Sequence, residues 1–147
     1  MTLALANRQR RVALDRKALR ALCERILAAH GLDANVSLCY VGDAAIRALN
    51  QRYLGLDEAT DVLAFPLEEQ GEMAGSAPEE RLLGEIVVSA EKALAEATRR
   101  RIPVARELAL YTAHGLLHLL GYDDHTPADR RRMRRAERAA LAAAGLP

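Results

Sequence analysis

The sequence predicts an α+β fold, with a small mixed β-sheet packed against about five helices. Three observations lead there. Strand-like alternation and helical periodicity are mixed along the chain, without the strict alternation of a doubly wound protein. Half of the 147 residues are apolar, enough to bury a core, and the length suits one domain spanning residues 1–147. Aromatics are scarce, with four Tyr, one Phe and no Trp, so that core must be built from Leu, Ala, Val and Ile.

The elements follow in order. Residues Arg10 to Leu14 alternate weakly and read as a first strand. From Arg16 to His30, apolar residues fall at Leu19, Leu22, Cys23, Ile26 and Leu27, a helical period that Gly31 can stop. Val36 to Val41 reads as a strand with Val36, Leu38 and Tyr40 on one face. Gly42 and Asp43 punctuate, Asp43 being a suitable N-cap for a short helix from Ala44 to Tyr53 that carries Ile46 and Leu49. Asp61 to Phe65 is a strand ended by Pro66, and the acidic stretch from Glu68 to Glu80, with its Gly and Pro, reads as a loop. Leu82 to Ser89 is a further strand, followed by a helix from Ala90 to Arg100. Pro103 opens the next helix, which runs to about Leu120 before Gly121. Thr126-Pro127-Ala128-Asp129 has the form of an N-cap, a first-turn Pro and an acidic third position, and starts a last helix that runs to about Ala144.

Composition excludes several classes. With 21 basic and 20 acidic side chains the chain is nearly neutral, so any nucleic-acid affinity must come from local patches. Cys23 and Cys39 are too few for a disulfide framework or a cysteine-based zinc site and read as packed thiols. No apolar run approaches the ~20 residues of a membrane span. The N-terminus lacks the pattern of a signal peptide. These features predict a cytoplasmic protein.

The chemistry concentrates between His114 and His125, a segment holding three of the four histidines. His114 and His118 are four apart in a predicted helix, so both imidazoles stand on one face and can reach one divalent ion, zinc being the natural choice. Gly121 ends that helix and turns the chain back toward the ion. Asp123, Asp124 and His125 are all competent third ligands, and imidazole chemistry favours His125. Three protein ligands leave open positions, as catalytic sites do. The residue after His114 is Gly115, so the general-base Glu of the His-Glu-x-x-His peptidases is absent. His30 reads as a helix-end residue interacting with the dipole. Glu107, seven residues before His114, shares its face and reads either as an acceptor orienting a ligand histidine or as a partner for a nearby Arg.

At these residues the chain resembles the YbeY family of rRNA-maturation endoribonucleases. His114-Gly-Leu-Leu-His118-Leu-Leu-Gly121-Tyr122-Asp123 matches the family's His-Gly-x-Leu-His-Leu-x-Gly-Tyr-Asp-His up to its last residue. Leu49-Asn50-x-x-Tyr53, Asp57 and Thr60-Asp61-Val62-Leu63-Ala64-Phe65-Pro66 are similar to a second family block, and Leu83-Gly84-Glu85-Ile86-Val87 to a third. Three positions depart from the pattern. Leu54 stands for the Arg that follows the family Tyr, a candidate phosphate contact; Ala59 stands for a Pro; Asp124 occupies the place of the third family His, with His125 one residue late. Met133 falls in family register without a gap, which ranks Asp124 slightly above His125 as third ligand.

The resemblance implies a single-strand-specific, metal-dependent endoribonuclease of 16S rRNA 3′-end maturation and ribosome quality control. It would work with rRNA and ribosomal small-subunit proteins, without a small-molecule cofactor, by attack of water activated on a metal held by His114 and His118. Arg130, Arg131, Arg134 and Arg135, in a run extending through Arg132 and Arg138, are candidate phosphate contacts, with Arg99 to Arg101 a second run and Asp57, Thr60 and Asp61 candidate cleft residues. The scarcity of aromatics argues against base stacking as the main grip. Two other readings remain: a metallohydrolase of another substrate, and a non-catalytic ribosome-assembly factor with a structural metal.

Overall fold

The computed structural model describes residues 1–67 and 82–146. Its elements are β1 (Leu3–Asn7), α1 (Arg16–Ala29), β2 (Asn35–Val41), α2 (Asp43–Leu54), β3 (Val62–Pro66), β4 (Leu82–Ser89), α3 (Ala90–Arg100), α4 (Val104–Leu119) and α5 (Pro127–Ala143). The strands form one sheet in the order β1-β2-β4-β3, with β1, β2 and β4 parallel and β3 antiparallel to β4 at the edge. This is the mixed sheet with five helices that the sequence predicts; the acidic stretch from Glu68 to Glu80 lies outside the described residues.

Strand alternation divides the sheet into two unequal faces. Val36, Leu38 and Tyr40 of β2, with Ile86 and Val88 of β4, point into the main core with Leu22, Ile26, Leu116 and Leu117. Each such side chain removed from water contributes on the order of 1.5–3 kcal/mol. The Tyr40 hydroxyl, buried in that core, donates to Thr112 Oγ1 at 2.7 Å, and Thr112 in turn donates to the Leu108 carbonyl at 2.7 Å. On the opposite face, among the described residues, α2 packs through a small cluster of Val41, Ile46, Leu63 and Val87.

The first strand differs from expectation. Residues 10–14 form no strand, because the Gln9 side chain clamps a turn there: its Oε1 accepts from Val12 N at 2.9 Å and its Nε2 donates to the Val12 carbonyl at 2.8 Å. Both backbone groups that Val12 would need for a ladder are taken. The edge strand is Leu3–Asn7, whose Leu3 and Leu5 face the main core while its Ala and Asn residues give little β-propensity to read. At α2 the N-cap is Gly42; Asp43 is the first helical residue, and its carboxylate accepts from Ser89 Oγ at 2.7 Å while Ser89 caps α3. Both cysteines are free, and burial pushes the Cys23 thiol up to about 12.

Candidate metal centre

Helix α4 is buried along most of its surface, through Leu108, Ala109, Ala113, Leu116 and Leu117, and His114 and His118 lie on the stripe that is not. The helix reaches this position because Gly115 lets it press onto the sheet. A Cβ at Gly115 would lie 2.6 Å from Ile86 Cγ2 and 3.1 Å from Val62 Cγ2. The position that bears a Glu in the zinc peptidases is therefore closed to any side chain here.

The helix ends in a Schellman motif around Gly121, whose φ of 101° favours glycine. Gly121 N donates to the His118 carbonyl at 3.1 Å, and Tyr122 N to that of Leu117 at 3.1 Å. The turn that follows is held from three sides. Tyr122 donates its hydroxyl proton to His30 Nε2 at 2.9 Å, while His30 Nδ1–H donates to the Ile26 carbonyl, so His30 ties the turn to α1. The guanidinium of Arg132 stacks over the Tyr122 ring at 5.6 Å. Arg130 Nη1 donates to the carbonyls of Asp124 and His125 at 3.3 and 3.4 Å. Thr126 Oγ1 then caps α5 by accepting from Asp129 N, with Pro127 in the first turn, as the sequence predicts.

His114, His118 and Asp124 line one cavity of about 300 Å³, together with Leu54, Val62 and Phe65. His114 is 31% exposed, and its Nδ1 lies 2.8 Å from Glu137 Oε1 on α5. This hydrogen bond holds the His114 pKa above its ordinary value, against the effect of burial, with the carboxylates of Asp61 and Asp124 adding to the rise. The donor atoms of Asp123, Asp124 and His125 lie within 4.8 Å of one another, a closeness that no other trio of such donors, His114, His118 and Asp124 included, reaches among the described residues. Within that trio Asp123 Oδ1 accepts from Asp124 N at 2.9 Å and sits 3.0 Å from His125 Nε2, while the His125 side chain is 79% exposed. Asp124 thus belongs to that trio and also lines the cavity with His114 and His118, whereas His125 pairs with Asp123 and does not line the cavity.

The remaining candidates fall elsewhere. Glu107 is buried and binds Arg100 at 3.1 Å, so the acceptor on His114 is Glu137, which the sequence reading missed. Glu137 was legible only as a polar residue one turn beyond buried Met133 on the α5 face. Arg99 pairs with Glu96, and Arg101 ends α3 with φ 56°, so the first arginine run is largely engaged in structure. Arg131, Arg134, Arg135 and Arg138 are exposed on α5, with Arg130 and Arg134 at helical spacing from Glu137. Asp57 pairs with Arg47 at 2.8 Å, which lowers its carboxyl pKa. Asp61 accepts from its neighbours Val62 N and Thr60 Oγ1 at the start of β3. Leu54 is 57% exposed at the cavity wall.

Similarity to known proteins bears on this arrangement. A family model described as "Endoribonuclease YbeY" matches residues 4–145. Relatives of that name include one from Anaeromyxobacter sp. (strain Fw109-5), 47% identical over 147 residues, covering 99% of this chain and 73% of the relative. Another, from Pelotomaculum thermopropionicum, is 41% identical over 147 residues, covering 96% and 95%. The solution structure of TM1509 from Thermotoga maritima superposes with a TM-score of 0.63 at 24% identity, over 97% of this chain and 91% of that one, a likeness of fold.

Proposed function

The chain belongs to the YbeY endoribonuclease family, and from that premise we propose that it matures ribosomal RNA by hydrolysing phosphodiester bonds at a metal site formed by His114, His118 and Asp124. The observation that carries the ligand assignment is the shared wall: His114, His118 and Asp124 line one cavity. This donor set fits zinc, which takes His nitrogen and Asp oxygen and keeps a position open in catalytic sites. Such an ion supplies Lewis acidity toward a phosphoryl oxygen and lowers the pKa of water.

The chain's own groups do the rest. Glu137 accepts the Nδ1 proton of His114, which fixes the tautomer and leaves Nε2 as the ligand atom. Asp124 is preferred over His125 because its carboxylate faces the cavity and accepts no hydrogen bond from the described residues, whereas His125 Nε2 is held by Asp123. Arg130 fixes the backbone of the ligand turn, and Arg131, Arg134 and Arg135 offer cations to phosphate beside it. No described helix is long and apolar enough to cross a membrane; a cytoplasmic enzyme working on ribosomes belongs to the same proposal.

The test is metal analysis joined to cleavage of single-stranded RNA. Chelator treatment abolishes cleavage and zinc restores it, and Asp124→Ala loses metal while His125→Ala keeps it. Full cleavage by protein freed of metal overturns the site, and the reverse order of the two variants overturns the third ligand.

A further inference from the structure

The metal cavity does not end at its ligands. Phe65 lines it and also lines a second cavity of about 450 Å³, which is bounded by Tyr53, Leu49, Glu85 and Val87. Leu49, Glu85 and Val87 in turn line a third, of about 630 Å³, over the sheet face that α2 leaves open, with Arg8 and Arg52 at its sides. Among the described residues these shared walls place the three cavities side by side, from His114 and His118 past strand β3 to the sheet face.

Its contents are unusual for this chain. The single Phe of the sequence lies at the junction of the first two cavities, in a protein where aromatics are scarce. Tyr53 is 57% exposed and meets Phe65 edge-on, with ring centroids 5.4 Å apart and planes at 63°. The Arg52 guanidinium lies 5.3 Å from the centre of the Tyr53 ring, on its face. A large exposed ring that adds little to the core, flanked by a cation and opening onto a site for phosphodiester hydrolysis, is the combination that grips single-stranded nucleic acid: rings stack the bases and arginines follow the backbone.

We propose that Tyr53, backed by Phe65, stacks a base of single-stranded RNA next to the scissile phosphate, and that Arg52 and Arg8 lead the flanking phosphates along the open sheet face. The proposal rests on the ribonuclease reading and adds to it the path and grip of the substrate. Scarce aromatics argue against stacking as the main grip, and the proposal keeps to that: two rings beside the site hold one base, and arginines carry the backbone. Among the described residues, Glu85 is the carboxylate that lines the two cavities beyond the metal site. It repels phosphate and accepts hydrogen bonds from base amino groups, so it places the bases, rather than the backbone, toward the sheet.

The experiment is fluorescence anisotropy of a labelled single-stranded RNA of about ten nucleotides, with metal-loaded protein, in the cold and before cleavage accumulates. Tyr53→Ala, an exposed position, weakens binding about five- to a hundredfold, the range of one lost stack, while Tyr53→Phe stays close to the parent. The slope of affinity against salt is unchanged in Tyr53→Ala, because no phosphate contact is lost, and falls by about 0.7 in Arg52→Ala. An oligomer with one abasic position, moved along the strand, loses affinity for the parent at one place and loses nothing further with Tyr53→Ala. If the parent binds RNA and Tyr53→Ala binds it equally well, the platform is overturned and the ribonuclease reading stands. If the parent neither binds nor cleaves any single-stranded RNA, the ribonuclease reading falls, and the platform with it.

Discussion

Glu137 gives the most direct test of how the metal centre is held. Its carboxylate is 13% exposed and 2.8 Å from His114 Nδ1, so water and salt screen the contact little. A hydrogen bond to a charged group in such a setting contributes about 1.5–3 kcal/mol. Removing a carboxylate that orients a ligand histidine costs about 10–100-fold in metal affinity, or about 1.4–2.8 kcal/mol at 1.4 kcal/mol per tenfold. The two ranges agree, so Glu137→Ala is expected to weaken metal binding by one to two orders of magnitude. Glu137→Gln, which still accepts from Nδ1–H, is expected to fall between.

The contact also sets a pH dependence. Glu137 raises the His114 pKa in the folded, metal-free protein. Its stabilising effect is therefore complete below the unfolded value of about 6.5 and is lost as pH rises through the raised folded value. The proton that stays on to higher pH competes with the metal for Nε2, so metal affinity in the parent falls as pH drops through that range. In Glu137→Gln this competition sets in at lower pH. The variant's deficit is expected to be widest in mildly alkaline solution and to shrink as pH falls. Competition against a chromophoric chelator across pH, with a histidine titration of the metal-free proteins by NMR, measures both. Equal metal affinities for parent and Glu137→Ala in alkaline solution would refute the reasoning.

Two further outcomes follow from the cavity walls. Gly115→Glu restores the peptidase spacing in sequence, yet its Cβ meets Ile86 Cγ2 at 2.6 Å; a loss of about 3 kcal/mol for overpacking, or about 6–12 °C in Tm, is expected without gain of peptidase activity, and a variant as stable as the parent in a thermal melt contradicts the packing. Leu54→Arg puts a cation on an exposed cavity wall; it is expected to leave Tm unchanged and to steepen the salt dependence of RNA binding by about 0.7 in slope, which the same oligomer assay reads.

Where one local signal decides an element, the sequence was legible. The period of α1, the Thr126 cap and Pro127 of α5, and the spacing of His114 and His118 with the Gly121 turn all stand where the residues place them. The failures share a cause, a side chain acting on something distant or on its own backbone. Gln9 takes both backbone groups of Val12 and so converts an alternating stretch into a turn. Glu137 reaches His114 across 23 residues, a pairing that no spacing rule within one helix encodes. Phe65 alternates as an ordinary strand residue, and only the edge position of β3 brings it to the metal cavity.

The position of the site follows from a conflict within α4. Glu107, Tyr111, His114 and His118, at steps of four, three and four, share one stripe of this deeply packed helix, while Thr112 is satisfied within the core by Tyr40. Exposure rises along the stripe: Glu107 is 1% exposed, Tyr111 8% and His114 31%, and His118 is open to solvent. At the buried end Glu107 pairs with Arg100, and burial and the Glu107 charge raise the Tyr111 pKa. Only the last turns combine exposure, adjacent imidazoles and the negative end of the helix dipole, which favours a cation. The proposed metal site therefore falls at the C-terminal end of α4, where the Schellman turn at Gly121 brings Asp124 back to the cavity that His114 and His118 line.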